Sequence, residues 1–303
     1  MRTTQTRRVL VTGSASGLGR EAALQLARRG DHLIVADRDV NGGLDTARRI
    51  EAAGGRAEFR ELDLADLSRL RAFADDELAR GLPLDVLINN AGLLPPLERA
   101  TTRDGFELGF GVAYLGHYAL TGLLLPALRR ASLPRVVAVS SLSHGAAKLD
   151  FDDLQFERHY VSSTAYANSK LCCLLFAQEL QRRADAAGAK LASVAAHPGV
   201  AATPIAAGWQ RENRRTLWSR FELIGYNMSI RLFGTTAAEG AKPLVHAATA
   251  PDIVGGAYYG PTRMMQTRGA PGRVKPNAKA LDAAVAAQLW AASARLSGVE
   301  FDF

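Results

Sequence analysis

Arg8-Val-Leu-Val-Thr-Gly13-Ser-Ala-Ser-Gly17-Leu-Gly19, near the start of the 303-residue chain, is the stretch that decides the fold. The β-branched run before Gly13 predicts a strand, and residues 20–29 predict a helix that stops at Gly30. A strand, a glycine turn and a helix in this order let backbone N–H groups at the helix N-terminus bind a pyrophosphate. The stretch therefore predicts a dinucleotide site, rather than a purely structural turn, that includes Gly13, Ser16, Gly17, Leu18 and Gly19.

An acidic residue, Asp37, ends the second predicted strand, His32–Ala36. It lies close to the ~20-residue offset at which a carboxylate binds the adenosine ribose. That carboxylate would repel the 2′-phosphate of NADP, so Asp37 favours NAD. Arg38 argues the other way, because a guanidinium can bind this phosphate, although it can also simply point into solvent. We predict NAD as the cofactor, with NADP as the alternative.

Predicted strands and helices alternate along the chain, which is typical of an α/β fold with a doubly wound parallel sheet and helices on both faces. Further strands are predicted over residues 57–62, 84–88, 135–139, 190–196 and 256–259. Further helices are predicted over residues 40–53, 66–80, 103–129, 237–248 and 278–297, together with one carrying Tyr166. We predict one domain over 1–303, with a core at about 8–260, an insertion at about 200–235 and a tail at 261–303 that begins with a loop over 260–276.

Polar residues and glycines follow almost every predicted strand. They are the glycine turn, Asp37, Asp63, Asn89–Gly92, Ser141 and Pro198-Gly199. Because ligands of an open parallel sheet bind beyond the carboxyl ends of its strands, we expect these residues to line one site.

Tyr166 and Lys170 are four residues apart on a predicted helix and therefore share one face. A lysine charge about 5 Å from a phenol, at an effective dielectric constant of about 20, favours the phenolate by roughly 3 kcal/mol. Such a pair can act as an acid and a base near neutral pH. The spacing recurs on many helices, so its weight depends on the strand-end residues that accompany it.

Composition argues against several other classes of protein. The net charge of +7 comes from scattered arginines, which favours attraction of an anionic cofactor over nucleic-acid binding. The longest apolar runs, at 171–175 and 191–196, are far below the ~18 residues that span a membrane, and the N-terminus lacks a secretory pattern. We expect a cytoplasmic protein. Cys172 and Cys173 are adjacent, so neither a disulfide framework nor a metal site is predicted.

The predicted insertion is rich in aromatic residues. Among them are Trp209, Trp218, Phe221 and Tyr226. These side chains either line a pocket for a bulky apolar or aromatic small molecule or pack the insertion onto the sheet, and the sequence leaves both possibilities open.

Taken in order, these motifs resemble the classical short-chain dehydrogenases/reductases over about residues 8–260. The segments Leu115–Tyr118, Val139–His144, Tyr166–Leu171 and His197–Val200 are similar to the branch that contains retinol dehydrogenases and protochlorophyllide reductases. The resemblance implies a single-domain Rossmann fold with a seven-stranded sheet. It also implies an enzyme that uses NAD(P) to interconvert an alcohol and a ketone or aldehyde.

The resemblance assigns roles to individual residues. Tyr166 is the implied acid and base, Lys170 the implied ligand of the nicotinamide ribose, and Ser141 the implied hydrogen-bond partner of the substrate oxygen, with Ser140 as the rival serine. Further cofactor contacts are implied at Asp63, Leu64, Asn90, Ala91, Gly92, Pro198, Val200 and Thr203.

One position departs from the family pattern, since Ala113 stands where an asparagine usually supports a water relay. This leaves open a reaction without net redox change, such as an epimerisation or dehydration with bound NAD. A dinucleotide-binding protein without catalysis is a third interpretation, against which the retained Ser141, Tyr166 and Lys170 argue. The resemblance also implies homodimers or homotetramers through the helices that carry Ala113 and Tyr166, although monomers occur in this branch.

Overall fold

The computed structural model describes residues 6–200 and 234–303, and within these ranges it contains eight strands. They are β1 (Arg8–Thr12), β2 (His32–Asp37), β3 (Arg56–Glu61), β4 (Val86–Asn89), β5 (Arg135–Val139), β6 (Ala192–Ala196), β7 (Tyr258–Arg263) and β8 (Arg268–Val274). The spatial order is β3-β2-β1-β4-β5-β6-β7-β8. All five residues of β1 are buried, as expected for an apolar strand covered on both faces.

Helices follow most of the strands. They are α1 (Gly17–Ala27), α2 (Val40–Ala52), α3 (Leu67–Ala79), α4 (Leu108–Phe110), α5 (Gly116–Leu123), α6 (Leu125–Arg129), α7 (Ser162–Ala186), α8 (Ala237–Thr249) and α9 (Ala283–Ser297). A π-helical turn covers Gly111–Leu115, and short 3₁₀ helices cover Leu142–Ala146 and Ala278–Leu281.

The helices form two layers, one on each face of the sheet. Alternate residues of β1 enter different apolar clusters: Leu10 packs with α3, α5, α7 and α9, whereas Val9 and Val11 pack with α1, α2 and α8. Because neighbouring side chains of a strand point to opposite faces, this alternation shows that helices cover both faces of the sheet, as predicted. The predicted α/β Rossmann fold is confirmed.

The sheet has one strand more than predicted. Strands β1 to β7 pair in parallel, but β8 is antiparallel to β7 and lies at the sheet edge. Residues 260–276 were expected to form a loop because of their glycines and prolines. A proline lacks the N–H that a central strand needs, but at a sheet edge that donor is dispensable, and Pro261 lies opposite Pro271 in the hairpin.

The prediction of a single helix over residues 103–129 is wrong. Glu107 is buried and accepts hydrogen bonds from Gly109 N and Phe110 N, so the helical path begins only at Leu108. It then passes through the π-helical turn, and it breaks again at Leu124, immediately before the α6 turn that contains Pro126. The π-helical turn matters for the site because it lies beside α7.

The closing helix α9 packs against α5 and α7 of the same chain. Trp290 stacks on Phe176 with ring centroids 5.9 Å apart and meets Tyr118 edge-on at 5.0 Å. Tyr114 Oη lies 2.6 Å from Ser293 Oγ. Helix α9 thus contacts the two helices through which the resemblance implied subunit contacts, and the homodimer or homotetramer stays a prediction. In the two described ranges, no helix is long and apolar enough to cross a membrane.

Candidate functional site

The glycine turn between β1 and α1 is packed against the end of β4. Gly13 has φ +67°, and a Cβ there would lie 2.7 Å from Ala91 Cα. A Cβ on Gly19 would lie 2.2 Å from Gly13 O and 2.5 Å from Asn90 Nδ2. Only glycine allows this approach, so the turn and the Asn90-Ala91 segment form one unit.

Hydrogen bonds join the same two segments. Thr12 Oγ1 accepts from Asn90 N at 2.9 Å and from Ala91 N at 3.0 Å. Asn90 Nδ2 donates to Thr12 O at 2.8 Å and to Gly13 O at 3.2 Å. The structure therefore brings together the predicted cofactor residues of the glycine turn with Asn90 and Ala91.

His117 is a third partner of this unit. Its Nδ1 lies 3.0 Å from Ala113 O, and its Nε2 lies 2.8 Å from Thr12 Oγ1. Because a carbonyl only accepts, Nδ1 carries the hydrogen and the Thr12 hydroxyl donates to Nε2. Burial lowers the pKa of His117 to about 4, which keeps the ring neutral.

We expect acid to destabilise the protein through this histidine. The pKa of His117 in the folded state, about 4, is below the reference value of 6.5. The unfolded chain therefore binds the extra proton first, and stability falls as the pH drops from about 6.5 to about 4. The loss is roughly 2 to 3 kcal/mol in the free energy of unfolding. Urea unfolding at pH 7.5 and pH 4.5 measures it, and His117→Asn should reduce the difference; an unchanged difference would contradict a buried neutral imidazole.

The start of α1 can accept an anion. Ser16, the residue before the helix, is exposed and extended at φ −157°, and its side chain makes no capping hydrogen bond. The first N–H groups of a helix have no partner within the helix and carry a partial positive charge. The predicted residues Gly17 and Leu18 open this turn, so the segment fits a pyrophosphate.

Asp37 lies at the end of β2, beside the glycine turn. Its Oδ2 accepts from Ala15 N at 2.9 Å, and its Oδ1 accepts from Asp39 N at 3.0 Å. These bonds orient the carboxylate, and each oxygen keeps a further lone pair for a ribose hydroxyl. Arg38 is exposed, and within the described residues its guanidinium has no hydrogen-bond or ion-pair partner. The Asp37 carboxylate therefore fits an adenosine ribose, and the guanidinium of Arg38 follows it directly in the sequence.

The other predicted cofactor residues follow β3 and β6. Asp63 Oδ1 accepts from Ala65 N at 2.9 Å, and Leu64 is buried with its carbonyl against Gly116. Pro198 and Val200 follow β6, and Val200 O accepts from Thr235 N at 2.8 Å. Thr203 lies outside the described residues, as do the aromatic residues Trp209, Trp218, Phe221 and Tyr226.

The structure separates the two candidate serines after β5. Ser140 is 1% exposed, and its hydroxyl donates to Lys170 O at 2.7 Å, which commits it to holding α7. Ser141 is half-buried, and its Oγ lies 3.0 Å from Ser143 Oγ and accepts from Ser143 N at 3.2 Å. Ser141 is thus the more accessible of the two hydroxyls, and its role at the substrate oxygen stays a prediction.

Tyr166 and Lys170 lie on the same face of α7, as their spacing predicts. Lys170 Nζ lies 5.9 Å from the centroid of the Tyr166 ring. Lys170 is only 5% exposed, and its ammonium donates to Val139 O at 3.1 Å, at the end of β5. An ammonium has three hydrogens, so this bond orients the cation and leaves donors for a ligand.

The π-helical turn lies on the other side of the lysine. A Cβ on Gly92 would lie 3.2 Å from Lys170 Nζ and 3.7 Å from Ala113 Cβ. Ala113 O accepts from Cys173 Sγ at 3.2 Å as well as from His117. The small residues Gly92 and Ala113 therefore make room for the lysine head group. Among the described side chains, no cluster of His, Cys, Asp or Glu is arranged to hold a metal ion.

Known proteins match most of the chain. The family described as short chain dehydrogenase matches residues 7–214. Polyprenol dehydrogenase of Mus musculus is 41% identical over 302 residues, covering 95% of this chain and 83% of its own length. Retinol dehydrogenase 13 of Homo sapiens is 37% identical over 297 residues, covering 96% of this chain and 85% of its own.

Solved structures show the same similarity. A protein from Mycobacterium paratuberculosis is 40% identical with a TM-score of 0.78, covering 98% of this chain and 95% of that one. An NAD(P)-dependent gluconate 5-dehydrogenase from Beutenbergia cavernae, solved with bound NADP, is 27% identical with a TM-score of 0.63, covering 83% of this chain and 93% of that one.

Proposed function

This chain belongs to the short-chain dehydrogenase family, and from that premise we propose that it interconverts an apolar alcohol and the corresponding ketone or aldehyde, with Tyr166 as acid and base. The family membership makes it an NAD(P)-dependent oxidoreductase. The observation that supports the reaction best is the position of Lys170, whose ammonium lies 5.9 Å from the Tyr166 ring centroid and donates to Val139 O, two residues before Ser141.

In the proposed reaction, Ser141 Oγ donates a hydrogen bond to the substrate oxygen and Tyr166 Oη exchanges the proton with it. In reduction the phenol gives its proton to the carbonyl oxygen, and in oxidation the phenolate takes the proton of the alcohol. Lys170 stabilises the phenolate through its positive charge, and its bond to Val139 O holds it in place. The nicotinamide cofactor, when bound, supplies or accepts the hydride.

We propose NAD as the preferred cofactor. Support comes from Asp37, whose carboxylate is oriented by Ala15 N and Asp39 N to accept ribose hydroxyls and repel a 2′-phosphate. The exposed Arg38 and the NADP bound to the gluconate 5-dehydrogenase support the alternative, NADP.

We expect Asp37→Ala to shift cofactor preference towards NADPH by about 10- to 100-fold, because removing the carboxylate removes about 1.4 to 2.7 kcal/mol of discrimination. Arg38→Ala is the matched neighbour and should shift preference the opposite way or leave it unchanged. Calorimetric titration of each variant with NADH and NADPH gives the ratio of dissociation constants. An Asp37→Ala ratio equal to that of the wild type would show that Asp37 does not contact the ribose.

We propose a long apolar alcohol of the polyprenol or retinol kind as the substrate class. The support is the names of two relatives that are 41% and 37% identical over nearly the whole chain. We also propose that residues 1–303 form a single domain, because one apolar cluster includes side chains from Leu10 to Val299.

The experiment that tests the function is an assay of retinol and polyprenols with NAD and with NADP, in which the reduced nicotinamide is followed by absorbance. One reduced nicotinamide should form per alcohol oxidised. Conversion of substrate without net formation would instead support the redox-neutral reaction that the alanine at position 113 left open. Absence of turnover with either class and both cofactors would overturn the proposed substrate class.

A further inference from the structure

His144 lies three residues after Ser141, in the 3₁₀ helix that follows β5, and is only 4% exposed. Its Nδ1 is 2.6 Å from Ser141 O, and its Nε2 is 3.0 Å from Asn277 N. A carbonyl only accepts and a backbone N–H only donates, so Nδ1 must carry the hydrogen and Nε2 must be bare. Burial lowers the pKa of His144, which favours this neutral form. Both ring nitrogens therefore have defined partners, and the partner of Nε2 lies 133 residues further along the chain.

The His144 ring belongs to a row of three. It meets Tyr258, the first residue of β7, edge-on with centroids 5.5 Å apart. On its other side Tyr258 lies 4.9 Å from His197, whose Nδ1 accepts from Gly199 N at 3.2 Å. The row links the loops after β5 and β6 to β7.

The β7–β8 hairpin and the segment after β8 contact the same loops. Lys279 Nζ donates to Ala147 O at 2.7 Å, at the end of the 3₁₀ helix that carries His144. The β7–β8 hairpin reaches the loop after β6, since a Cβ on Gly199 would lie 2.5 Å from Thr267 O. The segment after β8 thus contacts the loop after β5, and the β7–β8 hairpin contacts the loop after β6.

We propose that His144 is a positioning residue that couples the backbone of Ser141 to residues 275–281, so that this C-terminal segment forms a fixed wall of the substrate cleft. The proposal rests on the proposed function, in which Ser141 contacts the substrate oxygen. Loss of the two hydrogen bonds of His144 allows residues 275–281 to move and shifts the Ser141 peptide. Both changes affect substrate turnover, whereas the dinucleotide residues of β1 and β2 lie elsewhere along the sheet.

Asn277 offers a clean pair of variants because it is exposed and its φ of −63° suits proline. Asn277→Pro removes the N–H that donates to His144, and it also removes the side-chain oxygen that accepts from Lys279 N at 3.1 Å. Asn277→Ala removes only that side-chain oxygen. The difference between the two variants therefore isolates the bond to the imidazole.

His144→Phe removes both imidazole bonds and keeps an aromatic ring beside Tyr258. His144→Asn is the conservative variant, because its amide can still donate to Ser141 O. Since His144→Phe already removes the bond that Asn277→Pro removes, His144→Phe combined with Asn277→Pro should be no slower than His144→Phe combined with Asn277→Ala. Thermal unfolding and circular dichroism identify variants that fold.

Two measurements test the proposal in the full-length protein. Amide hydrogen exchange of residues 278–281 should be at least tenfold faster in Asn277→Pro than in Asn277→Ala. With retinol or a polyprenol, kcat/KM should fall about tenfold in Asn277→Pro, mainly because KM rises. It should fall further in His144→Phe, mainly because kcat falls. His144→Asn should recover part of that loss. The dissociation constant for NADH should stay within about twofold of the wild-type value.

Equal exchange in the two Asn277 variants would overturn the coupling, and this result needs no substrate. Faster exchange with unchanged kcat/KM would overturn the positioning role. A slower double variant with Asn277→Pro than with Asn277→Ala would do the same, because the Asn277 N–H would then act independently of the imidazole. If the wild-type protein oxidises neither alcohol, the proposed substrate class fails, and the exchange comparison still decides whether His144 couples the two segments.

Discussion

Tyr166→Phe should lower kcat by about 100- to 10,000-fold, which is the usual contribution of a positioned acid and base. The variant keeps the ring beside Lys170 and removes only the hydroxyl that exchanges the proton. The dissociation constant for NADH should change by less than about threefold, because the residues that fit the dinucleotide lie at the glycine turn and at Asp37. Steady-state kinetics with retinol and calorimetry with NADH measure the two quantities separately.

Tyr118→Phe is the matched control, since it makes the same chemical change at a buried tyrosine of α5 that packs against Phe176 and Trp290. Its hydroxyl lies 3.4 Å from Val299 O, in the contact with the C-terminal residues. We expect a loss of about 1 kcal/mol in the free energy of unfolding and no change in kcat. Undiminished turnover in Tyr166→Phe would rule out the proposed role of its hydroxyl.

Gly19→Ala should abolish measurable dinucleotide binding, with at least a 100-fold increase in the dissociation constant for NADH. The added methyl would lie 2.2 Å from Gly13 O and 2.5 Å from Asn90 Nδ2, so the glycine turn must move away from the end of β4. Such overpacking also costs typically 1 to 3 kcal/mol of stability. Calorimetric titration gives the affinity, and urea unfolding gives the stability.

Gly30→Ala, at the other end of the α1 segment, is the control for this prediction. Gly30 has φ +93°, but a Cβ there would meet no atom within 4 Å. The cost is backbone strain of about 1 to 2 kcal/mol without a clash, so stability should fall while NADH affinity is kept. Equal losses of affinity in the two variants would indicate that general destabilisation, rather than the shape of the turn, limits binding.

The fold class and the position of the site could be predicted from local patterns. Strands β1 and β5 begin and end where the sequence predicted, because apolar runs and glycine stops act within a few residues. The rule that ligands bind beyond the carboxyl ends of parallel strands then places the predicted residues at one edge. Tyr166 and Lys170 share a face because the helical period alone determines their relative direction.

Local patterns were insufficient where a distant partner overrides propensity. The expected helix over 103–129 starts late because Glu107 N donates to Gln155, 48 residues away, while the Glu107 carboxylate caps the first turn. The glycine- and proline-rich run after β7 becomes β8 because the edge of β7 is available for pairing. The bond to Gln155 leaves no signal in a window of ten or twenty residues, and the hairpin depends on the position of β7 in the sheet.

The sequence by itself determined the α/β sheet, the glycine turn and the Tyr166–Lys170 pair, since each depends on the chemistry of neighbours along the chain. Only the tertiary structure decided that Ser140 is committed to Lys170 O while Ser141 stays accessible, and that His144 joins Ser141 to Asn277. A hydrogen bond needs its donor and acceptor within about 3 Å and in line. Meeting that requirement across more than 100 residues depends on the complete packing of the chain, which no short stretch of sequence encodes.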